Sequence, residues 1–303
     1  MRISRLWKYV PAVIAPLGCT ADAQSINWYI PPPLANLTST GQNMDASYQF
    51  QLGTFSGGFV PTASNMTHWA NFWVSADSTS YDQDTKVFDA TFLVTNNPTP
   101  FTAGAKAYIW GRSVGPAKDE WILFRKSDWN WPAADPMSPF EITWNVASAS
   151  ATNEVILGII NPGGSPFLMK SEAVYSYAQW RDGTLAGEFL NGSDDDPDRD
   201  GVSNLLEFVF GTSPTQAAAA PATPTSFVEI SGQSYLQISI PRLRNRLATF
   251  TVEVSSNLVQ WNSGNTYTAE VTNTAEALVV RDKTVSGAGL PQRFMRLKAV
   301  LLP

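Results

Sequence analysis

Short runs of alternating apolar and polar residues recur along this chain, each cut by turn residues, and that rhythm restricts it to a mainly β fold. Tyr48, Phe50 and Leu52 alternate with polar neighbours, as do Phe88, Ala90, Phe92 and Val94. A period of two places one set of side chains on one face of a strand. Further strands are expected over 105–112, 120–125, 140–146 and 155–160, separated by Gly57-Gly58, Asn97-Pro98, Gly115-Pro116 and the Asn-Pro-Gly-Gly turn at 161–164. One helix is expected to open at Ser64 or Asn65, with Met66, Trp69 and Trp73 on a common face. Together these signals predict an aromatic-rich β-sandwich or jelly-roll-like domain over residues 24–170.

The same rhythm returns near the C-terminus. Leu236, Ile238 and Ile240 point one way, Phe250, Val252 and Val254 do likewise, and 278–280 and 294–300 complete the set. About six or seven short strands in this span predict an immunoglobulin- or fibronectin-like β-sandwich over 226–303. Residues 215–225, rich in alanine and proline, read as a linker. A chain of 303 residues is long enough for two such cores.

Between the two β regions, residues 171–214 carry the segment whose spacing demands a chemistry. A helix with Tyr177, Trp180 and Arg181 on one side is expected to feed an acidic loop. There Asp196, Asp198 and Asp200 occupy alternate positions, Gly201 follows, and Asn204 and Glu207 come three and six residues after the glycine. This fits the loop pattern D-x-[DN]-x-[DN]-G-x5-E for calcium, Ca2+. Calcium takes oxygen ligands, and three alternate carboxylates converge only if the backbone curls about the ion, which Gly201 permits. The Val202 carbonyl would supply the next ligand, Asn204 would reach the ion directly or through water, and Glu207 would close the shell with both oxygens. Without a cation the aspartates repel one another. A short helix is expected over 204–210, packing through Leu205, Leu206, Val209 and Phe210, with Gly211 as C-cap and Pro214 as stop.

The segment DPDRDGVSNLLEFVFGTSP resembles the calcium-binding repeats of bacterial surface proteins, which are similar to thrombospondin type 3 and dockerin loops. Dockerins usually carry two such segments, and thrombospondin arrays carry many, with cysteines. This chain has a single segment, so the resemblance implies neither a cohesin partner nor a long calcium-filled rod. The wider layout joins an aromatic-rich β domain, one DxDxDGxxNxxEFxxGTxP linker and a small β domain with a TVEVSSNLVQW-like strand. It resembles secreted proteins of environmental bacteria and implies no reaction.

Residues 1–23 read as a secretory signal, with Arg2, Arg5 and Lys8 ahead of a short apolar core and cleavage after Ala23. A lipid anchor on Cys19 is the less favoured alternative. Cys19 is the sole cysteine, so the mature protein is expected to have no disulfide and no thiol chemistry. No later segment is apolar enough for a transmembrane helix. A net charge of −6 argues against nucleic acid as a partner.

The remaining candidates are weaker in chemistry. His68, the sole histidine, has no nearby cysteine or carboxylate cluster and reads as packing or surface. Asp119, Glu120, Asp128, Asp135 and Glu141 would serve a glycosidase only if two of them faced each other across a cleft. Trp110, Trp121, Trp129 and Trp131, with Trp144 nearby, could form a flat platform for sugar rings; filling a β core is the commoner use of such residues. The expectation is a secreted, non-enzymatic, calcium-binding structural or adhesive protein at the cell surface. A carbohydrate-binding protein is the alternative and an extracellular glycan hydrolase the weaker one. Expected partners are calcium and an extracellular polysaccharide or another surface protein.

Overall fold

The computed structural model describes residues 24–301 apart from 33, 136, 138–139, 150–153, 164–165, 218–222, 224, 244, 275 and 288–291. The expected leader, Cys19 and half of the alanine–proline linker therefore lie outside the described residues. In chain order, β1 (Ser25–Tyr29), β2 (Ala35–Leu37) and β3 (Gln49–Phe55) precede a 3-10 turn (Ala63–His68) that runs into a one-turn helix, α1 (Trp69–Phe72). Then come β4 (Trp73–Ser80), β5 (Asp89–Leu93), β6 (Tyr108–Val114), β7 (Asp119–Phe124) and β8 (Glu141–Asn145). These are followed by β9 (Val155–Leu157), β10 (Ile159–Ile160), β11 (Phe167–Lys170) and β12 (Glu172–Val174). Helices α2 (Tyr177–Thr184) and α3 (Asn204–Phe210) flank the acidic loop. The last strands are β13 (Thr225–Ile230), β14 (Gln233–Pro241), β15 (Ala248–Ser255), β16 (Thr268–Asn273), β17 (Ala277–Val285) and β18 (Phe294–Leu301). The protein is mainly β.

The first β region is built around one antiparallel sheet, β12-β7-β6-β3-β4, with β9 also on β7. Both of its faces are covered. On one, Phe50, Leu52, Ile109, Ile122 and Phe124 pack against Ile26, Trp28 and Trp144 of a second sheet, β5-β1-β8. On the other, Tyr108, Trp110, Trp121 and Leu123 pack against Met66 and Trp69 of the turn and α1. A strand with a core on each side has no solvent face, so β6 and β7 read as apolar runs rather than alternations. Close approach is strict here. Gly111 sits opposite Phe50 in the ladder, and a Cβ there would stand 2.3 Å from the Phe50 ring. A third small sheet, β10-β11-β2, closes one end.

The expected helix through Trp73 is shorter than its spacing predicts. The helical stretch ends at Phe72, and Trp73 already pairs with Phe55 as the first residue of β4. Ladder pairing at this edge overrides the apolar spacing of Met66, Trp69 and Trp73. Trp73 still meets the same cluster, 5.5 Å from the Trp110 ring, and its Nε1 donates to Gln51.

The second β region has two sheets, β13-β14-β17-β16 and β15-β18, facing each other across Ile238, Ile240, Leu278 and Val280 on one side and Val252 on the other. Counted in chain order, the strands follow the ABED and CF arrangement of a constant-type immunoglobulin sandwich. No ladder joins β13–β18 to β1–β12 among the described residues; an isolated bridge at Tyr175 and Arg246 links the two regions.

One buried carboxylate ties the first region together. Glu120 accepts from Ser39 N–H at 2.9 Å, Ser39 Oγ at 2.7 Å and Ser171 Oγ at 2.7 Å, and pairs with Lys118 at 2.8 Å. Burial pushes its pKa up, but Lys118 and the serine donors outweigh that and hold it below the ordinary carboxylate value. Replacing Glu120 with alanine should destabilise the fold by about 3 kcal/mol, because it strands these donors. A depressed folded-state pKa stabilises above the unfolded pKa and is lost as pH falls through the folded one. The advantage of wild type over Glu120→Gln in urea melts should therefore be full at neutral pH and vanish in acid.

Candidate metal centre

The acidic loop is anchored at both ends before any ion is considered. Ser176 opens α2 with a capping box, its Oγ accepting from Gln179 N–H while the Gln179 side chain returns to Ser176 N–H. At the far end Asn204 is fully buried, and its Nδ2 donates to the carbonyls of Leu190 and Gly192 at 3.1 and 2.9 Å. The backbone adds Asn204 N–H to Asp195 O and Leu205 N–H to Ser193 O. These four bonds seat the first turn of α3 on the start of the loop. Gly211 ends α3 in the left-handed conformation, φ 77°, with its N–H on Glu207 O.

Within the loop the carboxylates bend the chain around themselves. Asp196 accepts from Arg199 and Gly201 N–H, Asp198 from Asp200 N–H, and Asp200 from Val202 N–H. Gly201 takes φ 88°, which a side chain would resist. The result gathers one oxygen each from Asp196, Asp198 and Asp200 within 4.8 Å of one another. Oxygens sharing one ion at about 2.3–2.6 Å can be no more than about 5 Å apart, so the triad fits a single cation.

Glu207 lies outside that triad but beside it. Its side chain is 1% exposed, Oε1 accepts from Thr212 Oγ1 at 3.3 Å, and Oε2 has no partner. Asp198 Oδ2 and Asn204 Oδ1 are likewise buried and unpartnered. Burial first, then the fields of Asp198 and Asp200, push the Glu207 pKa up to about 7. Burial first, then the neighbouring Asp200 and Asp196, also raise that of Asp198. The Asn204 amide nitrogen is committed to the loop, and its Oδ1, the atom a calcium ion would use, is the one left without a partner. Val202 is placed by its N–H on Asp200.

The back of α3 is fixed to the rest of the molecule. Phe208, completely buried, packs its ring 5.7 Å from Tyr177 and 5.5 Å from Trp180, and the Arg246 guanidinium lies 5.1 Å from it. Leu243 N–H donates to Val209 O, and the Leu243 side chain fills the space where a Gly211 Cβ would fall. Tyr175 exchanges backbone bonds with Asn245 and Leu247 and carries Arg246 over its ring at 4.6 Å. Val209 packs as expected, and half-buried Leu205 and Phe210 join the same cluster, Phe210 also reaching the core of the second β region. Phe208, not singled out by spacing, is together with Val209 the most deeply buried of the helix's apolar residues. In a seven-residue helix that is apolar at five positions, spacing alone does not pick the buried face. Arg246 carries no sequence signal, because its partners lie far away in the chain.

The other sequence candidates are dispersed. Trp110, Trp121, Trp129 and Trp131 are 1%, 8%, 2% and 2% exposed, so they are core and offer no sugar platform. Nor do they share a surface: Trp110 and Trp121 lie on one face of the central sheet, Trp129 and Trp131 on the other. Glu120 is engaged in the network above, Asp119 accepts from Gln179, and Asp128 pairs with Lys126. His68 Nδ1 sits 3.3 Å from Thr67 Oγ1. The chain matches no protein-family model, no curated protein and no solved structure.

Removing one charge from the cluster should relieve it. Asp198→Asn is expected to raise stability in chelator by about 0.5 kcal/mol, a thermal-melt readout, since the exposed part of the repulsion is screened. A clear fall would mean that the hydrogen bond to Asp200 outweighs the repulsion.

Proposed function

We propose that this chain is a secreted calcium-binding structural or adhesive protein without enzymatic activity, in which the ion stiffens the joint between two β regions. The observation that carries this reading is Glu207. A fully buried carboxylate with a free oxygen, facing three converging aspartates, is expensive unless a cation joins it. The donors are all oxygen, which selects a hard cation, and the loop places them at the positions calcium uses in twelve-residue loops. The secreted address rests on the leader reading of residues 1–23, and extracellular calcium is abundant enough for a site of modest affinity.

The structural role follows from where α3 is held. Its Glu207 side faces the aspartates, while Phe208 and Val209 bond and pack to α2 and to the segment before β15. An ion that pins Glu207 therefore pins the helix against both β regions.

Calorimetric titration with calcium should show one site per chain, and a saturating ion should raise the melting temperature in proportion to RT ln(1 + [Ca]/Kd). Asp198→Ala combined with Glu207→Ala should abolish the heat and the shift while leaving the β circular dichroism intact. An absence of heat and of any melting shift up to about 1 mM calcium, within the span of extracellular sites, would refute the proposal.

A further inference from the structure

The second β region has an uncovered position in its sandwich. Strands β15 and β18 form a sheet of two against a sheet of four. In a seven-stranded constant-type sandwich the last strand pairs with the sixth, the place of β18 here. Among the described residues, nothing pairs with the outer edge of β18. The outer edge of β15 is different, because Asn262 exchanges both backbone bonds with Val254 there.

Side chains mark the same gap. Phe227 of β13 stands opposite Leu236, on the face of the sheet that carries Ile238. Ile238 is 3% exposed, yet Phe227 is 64% exposed. The inner row of β18, Met295 and Leu297, is only half-buried, whereas its ladder partners Val254 and Val252 are buried. An apolar inner face is thus open along the line a further strand beside β18 would cover.

The charge on β18 selects the occupant. Arg296 and Lys298 point outward between the apolar residues; Arg296 is paired with Glu253 of β15 and lies over the Trp261 ring, whereas Lys298 has no acidic partner among the described residues. Two copies of β18 paired antiparallel about Leu297 would set Arg296 of one against Lys298 of the other, which like charges oppose. We propose that the free edge of β18 binds an extended segment of another protein by strand addition. That segment has apolar residues at alternate positions, facing Phe227, Met295 and Leu297, and an acidic residue between them, facing Lys298.

The probe is a fluorescent peptide, Thr-Val-Glu-Val-Glu-Val-Glu-Val-Thr, titrated into the protein and followed by anisotropy and by amide exchange. Saturable binding with slowed exchange across β18 is expected, at least about tenfold tighter than for a block-ordered peptide of the same composition. Lys298→Glu should weaken it about tenfold and reverse the preference toward a peptide with lysine for glutamate. Phe227→Ser should weaken both. Equal binding of the block-ordered peptide, no saturation up to about 1 mM, or dimerisation of the protein with protection at β18 would each overturn the proposal. None of these readouts depends on calcium, so the outcome is separate from that of the loop titration.

Discussion

A carboxylate buried without a full set of donors has to find a proton or a cation, and Glu207 is such a group. Around it the molecule is arranged in two directions. Forward of it stand Asp196, Asp198 and Asp200, whose mutual repulsion is contained by backbone N–H groups turned toward them. Behind it, on the same short helix, Phe208 enters a ring of Tyr177, Trp180 and Arg246. A helix of seven residues has little stability of its own. It exists because its two sides are held, one by packing that is always present and one by charge that needs a counter-ion.

The tryptophans show how a physically reasonable surface reading is displaced by topology. A chain with 11 tryptophans and only 15% charged residues must bury aromatics somewhere. A central sheet with both faces covered doubles the area available for that purpose. Trp69, Trp110 and Trp121 gather in one layer and Trp129, Trp131 and Trp144 in the other, mixing edge-to-face and stacked contacts with ring centroids 5.2 to 6.1 Å apart. Neighbours along the sequence thus become strangers across a sheet.

Legibility in the sequence followed solvent. Strands with one wet face announced themselves by alternation, as β5, β14 and β15 do. The polar strand β4 and the short β2 and β12 carry no such pattern and exist through their partners' ladders. The convergence of Asp196, Asp198 and Asp200 was legible because their alternate spacing and the turn at Gly201 bring the three carboxylates together. The second role of Asn204, whose amide nitrogen holds the loop to the helix, was not legible, because its carbonyl partners leave no trace in side-chain identity. Phe208 and Arg246 were invisible for the same reason: their importance lies in distant residues that only folding brings near.

The bonds between Tyr175 and the Asn245–Leu247 segment have a mechanical meaning. They bracket the acidic loop, both helices and strands β13 and β14, so the two ends of that stretch are held together as by a clasp. Tension applied across the two β regions reaches this clasp first, in a geometry where two backbone bonds share the load. The loop and α3 are pulled only after it opens. Opening it would pass the load on to β13 and β14, so the clasp shields the second sandwich as well as the loop.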